Sequence, residues 1–204
     1  MRQRYHAQLL AETLAAYFSP LALEHITRAN VAQDDLLNQL RPELHFDNCR
    51  FAEALAYIEA QHRCLAQATD SALRWAAFGR LTHTAQDFYA HSNYVDLWLN
   101  ARGSPARPDN IDGLDPQLLT HPDLRSGYFH LWRDFIYYLP GLKRFAKKYL
   151  VFKASHEALN LDDESRSPKF AYAMAAARQR TLAEYQRALH ALNPEQIAQF
   201  HGQK

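Results

Sequence analysis

The run Leu-Thr-His-Thr-Ala-Gln-Asp-Phe-Tyr-Ala-His-Ser-Asn over residues 81–93 places His83, Asp87 and His91 at i, i+4 and i+8. A helix turns once every 3.6 residues, so these side chains share one stripe along its side. Residues 70–81 just before them contain no proline and favour helix. Two imidazoles flanking a carboxylate form a donor set for a divalent transition metal, and the carboxylate is able to bridge two ions. The same spacing also describes a solvated helix face with two ordinary histidines. The rest of the chain bears on the choice.

Apolar residues recur at helical spacing over residues 5–18. Ser19-Pro20 then stops that helix and opens another over 21–29, with Ser19 as N-cap, Pro20 at the first helical position and Asn30 as C-cap. Residues 31–40 read as an amphipathic helix ended by Arg41-Pro42, and 43–48 as a loop. Strong helices are expected over 51–68 and 70–100, and the Pro, Gly, Asp and Asn of 103–115 mark one long loop. Residues 118–149 are aromatic-rich and read as mostly helical with a break at Pro140-Gly141, followed by helices over 169–192 and 194–200. No period-two run of β-branched residues appears. The expectation is an all-α, single-domain helical bundle over 1–204, long enough for one well-buried core.

With 48% hydrophobic and 22% charged residues the chain has an ordinary globular balance, and a net charge of +1 gives no basic footprint for nucleic acid. Eleven histidines are the compositional outlier. Cys49 and Cys64 match no zinc or redox motif and read as thiols of a reducing compartment. The start, Met-Arg-Gln-Arg-Tyr-His, lacks the apolar stretch of a signal peptide, and no apolar run approaches a membrane span. These features imply a cytoplasmic protein, unless a specialised system exports it.

Further metal-ligating residue types are spread along the chain: His6, Asp34, His45 with Asp47, and His156 followed by Asn160, Asp162 and Asp163. Each has an ordinary alternative: a surface histidine for His6, a solvated helix position for Asp34 beside Asp35, a helix cap for His45 and Asp47, a polar turn after His156. Taken jointly they suit a multi-metal site built inside a bundle from several helices. His25, Asn30 and Asn93 are assigned to orienting the ligating imidazoles, and His62, His121, His130, His190 and His201 are left outside. The aromatics of 127–139, followed by Lys143, Arg144, Lys147 and Lys148, read as core; the alternative is docking on a lipid interface.

The run His-Thr-Ala-Gln-Asp-Phe-Tyr-Ala-His-Ser-Asn-Tyr-Val resembles the signature of the heterokaryon-incompatibility C (HET-C) family, and His45-Phe-Asp-Asn and His156-Glu-Ala-Leu-Asn-Leu-Asp resemble other segments of it. That family is similar to the all-α zinc-dependent phospholipases C and single-strand-specific nucleases, and the resemblance spans roughly residues 5–185. It implies a fold of that type and a phospholipase C-like hydrolase cleaving the phosphodiester of phospholipid headgroups at a membrane surface. It also implies two or three Zn²⁺ ions held by His6, Asp34, His45, His83, Asp87, His91 and His156. In this pattern Asp87 bridges metals and Asp34 doubles as general base. Clustered zinc would activate water and clamp the attacking and leaving oxygens.

Three departures accompany the resemblance. The secreted phospholipases use a mature N-terminal Trp as ligand where this chain has Met1. The Asp87–His91 spacing is shorter than theirs, though it fits HET-C proteins. Asn160 stands where they carry a carboxylate, leaving Asp162 to substitute. A nuclease on the same scaffold, disfavoured by the near-neutral charge, and a toxin or recognition module controlled by a regulatory or immunity partner protein are the alternatives.

Overall fold

The computed structural model describes residues 1–103, 106–128 and 160–202. Among them the regular structure is helical, and an isolated antiparallel bridge joins Ser92 to Ser126. The helices are α1 (Gln3–Leu14), α2 (Pro20–Val31), α3 (Phe51–Gln67), α4 (Ser71–His91), α5 (Tyr94–Arg102), α6 (Pro116–Leu119), α7 (Phe170–His190) and α8 (Pro194–His201). No described helix is long and apolar enough to cross a membrane.

The organising element is α4, which packs against α2, α3, α7 and α8. Asp70 starts it, its side chain accepting from the Leu73 amide at 2.8 Å. From Ala77 to His91 every residue except Arg80 is buried. That stretch has no solvent face, so its polar side chains must find partners inside the protein. Phe78 and Leu81 join Leu9, Leu10, Leu14, Ile26 and Phe200 in the core. The Trp75 indole N–H donates to the Phe200 carbonyl at 2.6 Å, and the Arg74 guanidinium donates to the carbonyls of Leu65 and Ala68 where α3 ends.

The sequence reading holds for several boundaries and fails at others, among them the end of α1, which comes at Leu14 rather than Phe18, and residues 120–128, which are not helical. Ser19 caps α2 through the Ala22 amide, with Pro20 at the first position. Asn30 does not cap that helix: it lies within it, fully buried, and donates to Thr82 Oγ1 and Gln86 Oε1 of α4. The helix expected over 31–40 is instead two single 3₁₀ turns, Ala32–Asp34 and Asn38–Leu40, with Leu36 and Leu37 on the surface. Its amphipathic pattern finds no core to cover there, so the apolar positions do not propagate a helix. The helix expected over 70–100 breaks at Ser92, whose backbone turns extended (φ −106°, ψ 167°) and pairs with Ser126. Residues 129–159, including most of the aromatic stretch, lie outside the described residues.

Gly79 explains how α2 comes close enough for Asn30 to reach α4. A Cβ built there would stand 2.3 Å from the Ile26 carbonyl oxygen and 2.8 Å from Ala29 Cβ. Gly79→Ala is therefore expected to destabilise the fold by about 2–3 kcal/mol despite alanine's better helix propensity. A shift of the urea midpoint to lower concentration at unchanged m-value checks this; an unchanged midpoint would contradict the close approach.

Candidate metal centre

Asp87 sits in the middle of the buried helix with a fully buried carboxylate. Its two oxygens face two groups of partners. Around Oδ2 lie His45 Nδ1 at 2.9 Å and His83 Nε2 at 3.1 Å, and those two nitrogens are 3.2 Å apart. Asp34 Oδ1 follows at 3.8 Å from His83 Nε2. Around Oδ1 lie the Met1 α-ammonium at 2.6 Å, His6 Nε2 at 3.2 Å and His91 Nε2 at 4.0 Å. The same ammonium is 2.9 Å from Asp162 Oδ1 and 3.1 Å from His91 Nε2, and His91 Nε2 is 3.0 Å from Asp162 Oδ1.

Each ligand candidate arrives by a different route. His83, Asp87 and His91 share the α4 stripe, while His6 lies in the second turn of α1 and Asp34 ends a 3₁₀ turn after α2. His45 and Asp47 flank Phe46, which takes left-handed backbone (φ 56°), as do Asn48 and Cys49. That sharp reversal lets both side chains face α4, and it is secured by the Asn48 amide on the Gly127 carbonyl and the Cys49 amide on Ser126 Oγ.

Hydrogen bonds set the imidazole tautomers. Nδ1 of His6 donates to Gln86 Oε1 at 2.6 Å, because an amide oxygen only accepts, and this leaves Nε2 aimed at Asp87. Nδ1 of His91 donates to the His45 carbonyl at 2.9 Å, leaving its Nε2 toward Asp162. Gln86 is itself fixed by donating to Thr181 Oγ1 at 3.0 Å and accepting from Asn30. This is the outer support that ligating histidines require.

The electrostatics follow from burial. Desolvation pushes the Asp87 carboxyl up, but the Met1 ammonium together with His91, His83 and His6 outweighs it and holds the group well below the ordinary carboxylate range. Burial would lower the Met1 amine, yet Asp162 and Asp87 raise it to about 11. Burial and the Asp87 charge push Asp34 up against the pull of His6. His83 is driven well below its usual 6.5 by burial and by His6 alongside, whereas Asp87 lifts His45 despite burial.

Several atoms here have no hydrogen-bond partner among the described residues: Asp34 Oδ2, His45 Nε2, His83 Nδ1 and His6 Nε2, the last close to Asp87 but poorly aligned. Leaving such groups buried and unpaired costs about 1–3 kcal/mol each. Donor atoms about 2.0–2.1 Å from a tetrahedral zinc ion stand about 3.3 Å from one another. The triangle of His45, His83 and Asp87 atoms matches that separation, and Asp34, His45, His83 and Asp87 bring one donor each within 4.8 Å of one another. The residues fit a divalent metal of the nitrogen and oxygen class.

Of the positions expected from sequence, the structure brings together His6, Asp34, His45, His83, Asp87 and His91, with Asp47 3.5 Å from His91. Asp162 enters the centre directly and Asn160 holds it, donating from Nδ2 to Asp162 Oδ2 at 2.5 Å. His156 lies outside the described residues. Asn30 acts at one remove, through Gln86. Two assignments are corrected. His25 orients no ligand; it pairs with Arg28 and Trp75 beside the α2 surface. Asn93 bonds the Asp123 carbonyl and the Arg125 amide, fixing the loop before Ser126. Sequence reasoning missed Gln86, though its place one residue before Asp87 was a signal.

Fold and site together define an all-α domain with a buried His/Asp centre of metal-ligand geometry. Residues 2–103, half of the chain, match the VWA7 N-terminal domain, and the protein belongs to that family. It is 41% identical over 101 residues to von Willebrand factor A domain-containing protein 7 of Homo sapiens, covering 44% of this chain and 11% of that protein. The protein of the same name from Rattus norvegicus is 37% identical over 102 residues, again 44% and 11%. That of Mus musculus is 36% identical over 115 residues, 47% and 13%. The chain thus spans about a tenth of the length of these curated relatives. No solved structure matches it.

These matches overturn the HET-C resemblance: neither that family nor phospholipase C is matched. The reading of the chain as a headgroup-cleaving phospholipase C, and the toxin and nuclease alternatives tied to it, rested on that resemblance and fall with it. The physical reason is that histidine and aspartate at four-residue spacing suit any metal site on a helix, so the motif specifies a chemistry and not a lineage.

The sign of the His83 shift gives a prediction for the metal-free protein. Its folded pKa is below the unfolded value of 6.5, so its contribution to stability is present above 6.5 and is lost as the pH falls towards the folded value. Nitrogen-15 spectra at about pH 5.5 are expected to show His83 still neutral, where an unperturbed imidazole is mostly protonated. A midpoint near 6.5 for His83 would contradict the buried, like-charged surroundings.

Proposed function

We propose that this domain is a zinc-binding domain with a hydrolytic centre around Asp87. The observation that carries the proposal is the triangle of His45 Nδ1, His83 Nε2 and Asp87 Oδ2, with separations of 2.9, 3.1 and 3.2 Å. Asp34 would complete a first position; His6, His91, Asp87 and Asp162 are donors that would hold a second ion only in place of the Met1 ammonium that now stands among them. Bound there, zinc supplies Lewis acidity and brings the ionisation of water towards neutral pH. The chain's own part is to hold the donors fixed, through Gln86, Asn30 and the His45 carbonyl, and to accept a proton. Asp34 suits the last role by its place, because it lines an open cavity of about 500 Å³ beside the His/Asp cluster. Ligands converging from several elements on one central helix also agree with a bundle of the phospholipase C and nuclease architectural type, and we extend the proposal to that architecture without any substrate.

Elemental analysis of purified, zinc-loaded protein is expected to find about two to three zinc ions per chain, by the count of available donors. Asp87→Asn should lose most of them, and Gln86→Leu should weaken binding about 10–100-fold by releasing His6. Less than one zinc per chain in the wild type would overturn the proposal. Asp34→Asn is expected to slow metal-dependent hydrolysis of chromogenic esters by about 10²–10⁴-fold. Equal rates with and without zinc would remove the hydrolytic part of the reading.

A further inference from the structure

A groove of about 460 Å³ lies between α2 and α4, and no member of the His/Asp cluster lines it. Its walls are mostly apolar: Ala29 and Ala32 come from α2 and its C-cap, and Ala72, Leu73 and Ala76 from the first turns of α4. Alanines at these places leave a hollow where longer side chains would raise a ridge. Exposed leucines stand around it. Leu73 is 56% exposed at its edge, and Leu21, one turn before His25 on the groove side of α2, is 58% exposed. Leu36 and Leu37, 77% and 79% exposed, follow in the turn after Ala32, and Asn38 ties that turn back by donating to the Ala32 carbonyl at 3.0 Å. Single exposed leucines are ordinary, but several bordering one apolar groove mark a surface for another molecule.

Two charges of opposite sign lie on the same groove. Arg28 is exposed, with its Nη2 3.1 Å from His25 Nδ1. Asp70, also exposed, caps the Leu73 amide with Oδ1. Neither forms an ion pair among the described residues, and the Arg74 guanidinium, one turn along from Asp70, is turned to the carbonyls that end α3.

We propose that the α2–α4 groove is a two-fold interface between two copies of this chain. The leucines of each copy cover the alanines of the other, and Arg28 pairs with the partner's Asp70. A two-fold contact presents one surface twice, so that surface has to be its own complement. This one carries knob and hollow, cation and anion, side by side. A foreign partner would need only one half of each pair on this chain, so a second copy is the occupant these residues fit. The contact uses no member of the His/Asp cluster and stands or falls apart from the zinc centre.

Sedimentation equilibrium of the full chain tests it, and a dimer dissociating in the micromolar range is expected. Leu73→Glu and Arg28→Glu should each raise the dissociation constant at least about tenfold, at unchanged circular dichroism. Both side chains are exposed in the single chain, so neither change strikes the core. Adding Asp70→Ser to Arg28→Glu should recover part of the affinity, because serine keeps a capping oxygen for α4 and removes the repelling carboxylate. A wild-type chain still monomeric at about 0.1 mM would overturn the interface. A dimer that survives both glutamate variants unweakened would also overturn it, by placing the contact elsewhere. No recovery in the folded double variant would overturn the pairing of Arg28 with the partner's Asp70.

Discussion

A carboxylate with no access to water is costly to bury, by several kcal/mol even after the surroundings relax. Asp87 is such a group, and the arrangement of the described residues can be traced to the partners it needs. One oxygen takes two imidazoles; the other takes an ammonium and a third imidazole. No single helix can supply these, since a helix brings only its own i±3 and i±4 neighbours near a given side chain. The chain therefore sets Asp87 on a helix packed on several sides and lets α1 and the loops after α2 deliver His6, Asp34 and His45.

Delivery depends on features whose local chemistry looks unfavourable in isolation. Gly79 is a weak helix residue, yet its missing Cβ admits the backbone of α2. Phe46 carries left-handed backbone between His45 and Asp47. Asn30 and Gln86 bury amides that must be satisfied, and they are satisfied by one another, by Thr82 and by Thr181. These local costs lie around the His/Asp cluster, as expected where a fold gives up stability to hold a site in place.

The helices were legible because an amphipathic period of 3.6 is written locally, and Ser19-Pro20 and Asp70 mark starts by their own hydrogen-bonding capacity. Residues 31–40 misled because their pattern is amphipathic while no core lies beneath Leu36 and Leu37. Asn93 misled for a related reason: standing two residues from His91, it turns to the 123–125 backbone. The HET-C resemblance failed in a different way. Ligand types and spacings answer to metal chemistry, which unrelated helical proteins share, whereas the extended match over residues 2–103 is to the VWA7 N-terminal domain family.

The order of residues alone determined that the chain is helical and that His83, Asp87 and His91 lie on one stripe, since both follow from periodicity within a single element. Only the tertiary structure decided which oxygen of Asp87 meets which imidazole, that Asp34 joins the cluster while the adjacent Asp35 is not part of it, and that Gln86 sets the His6 ring. Those outcomes depend on where separate segments cross in space. Residues as far apart as His6 and Asp87 are brought within 3.2 Å by packing, and no local pattern records that distance.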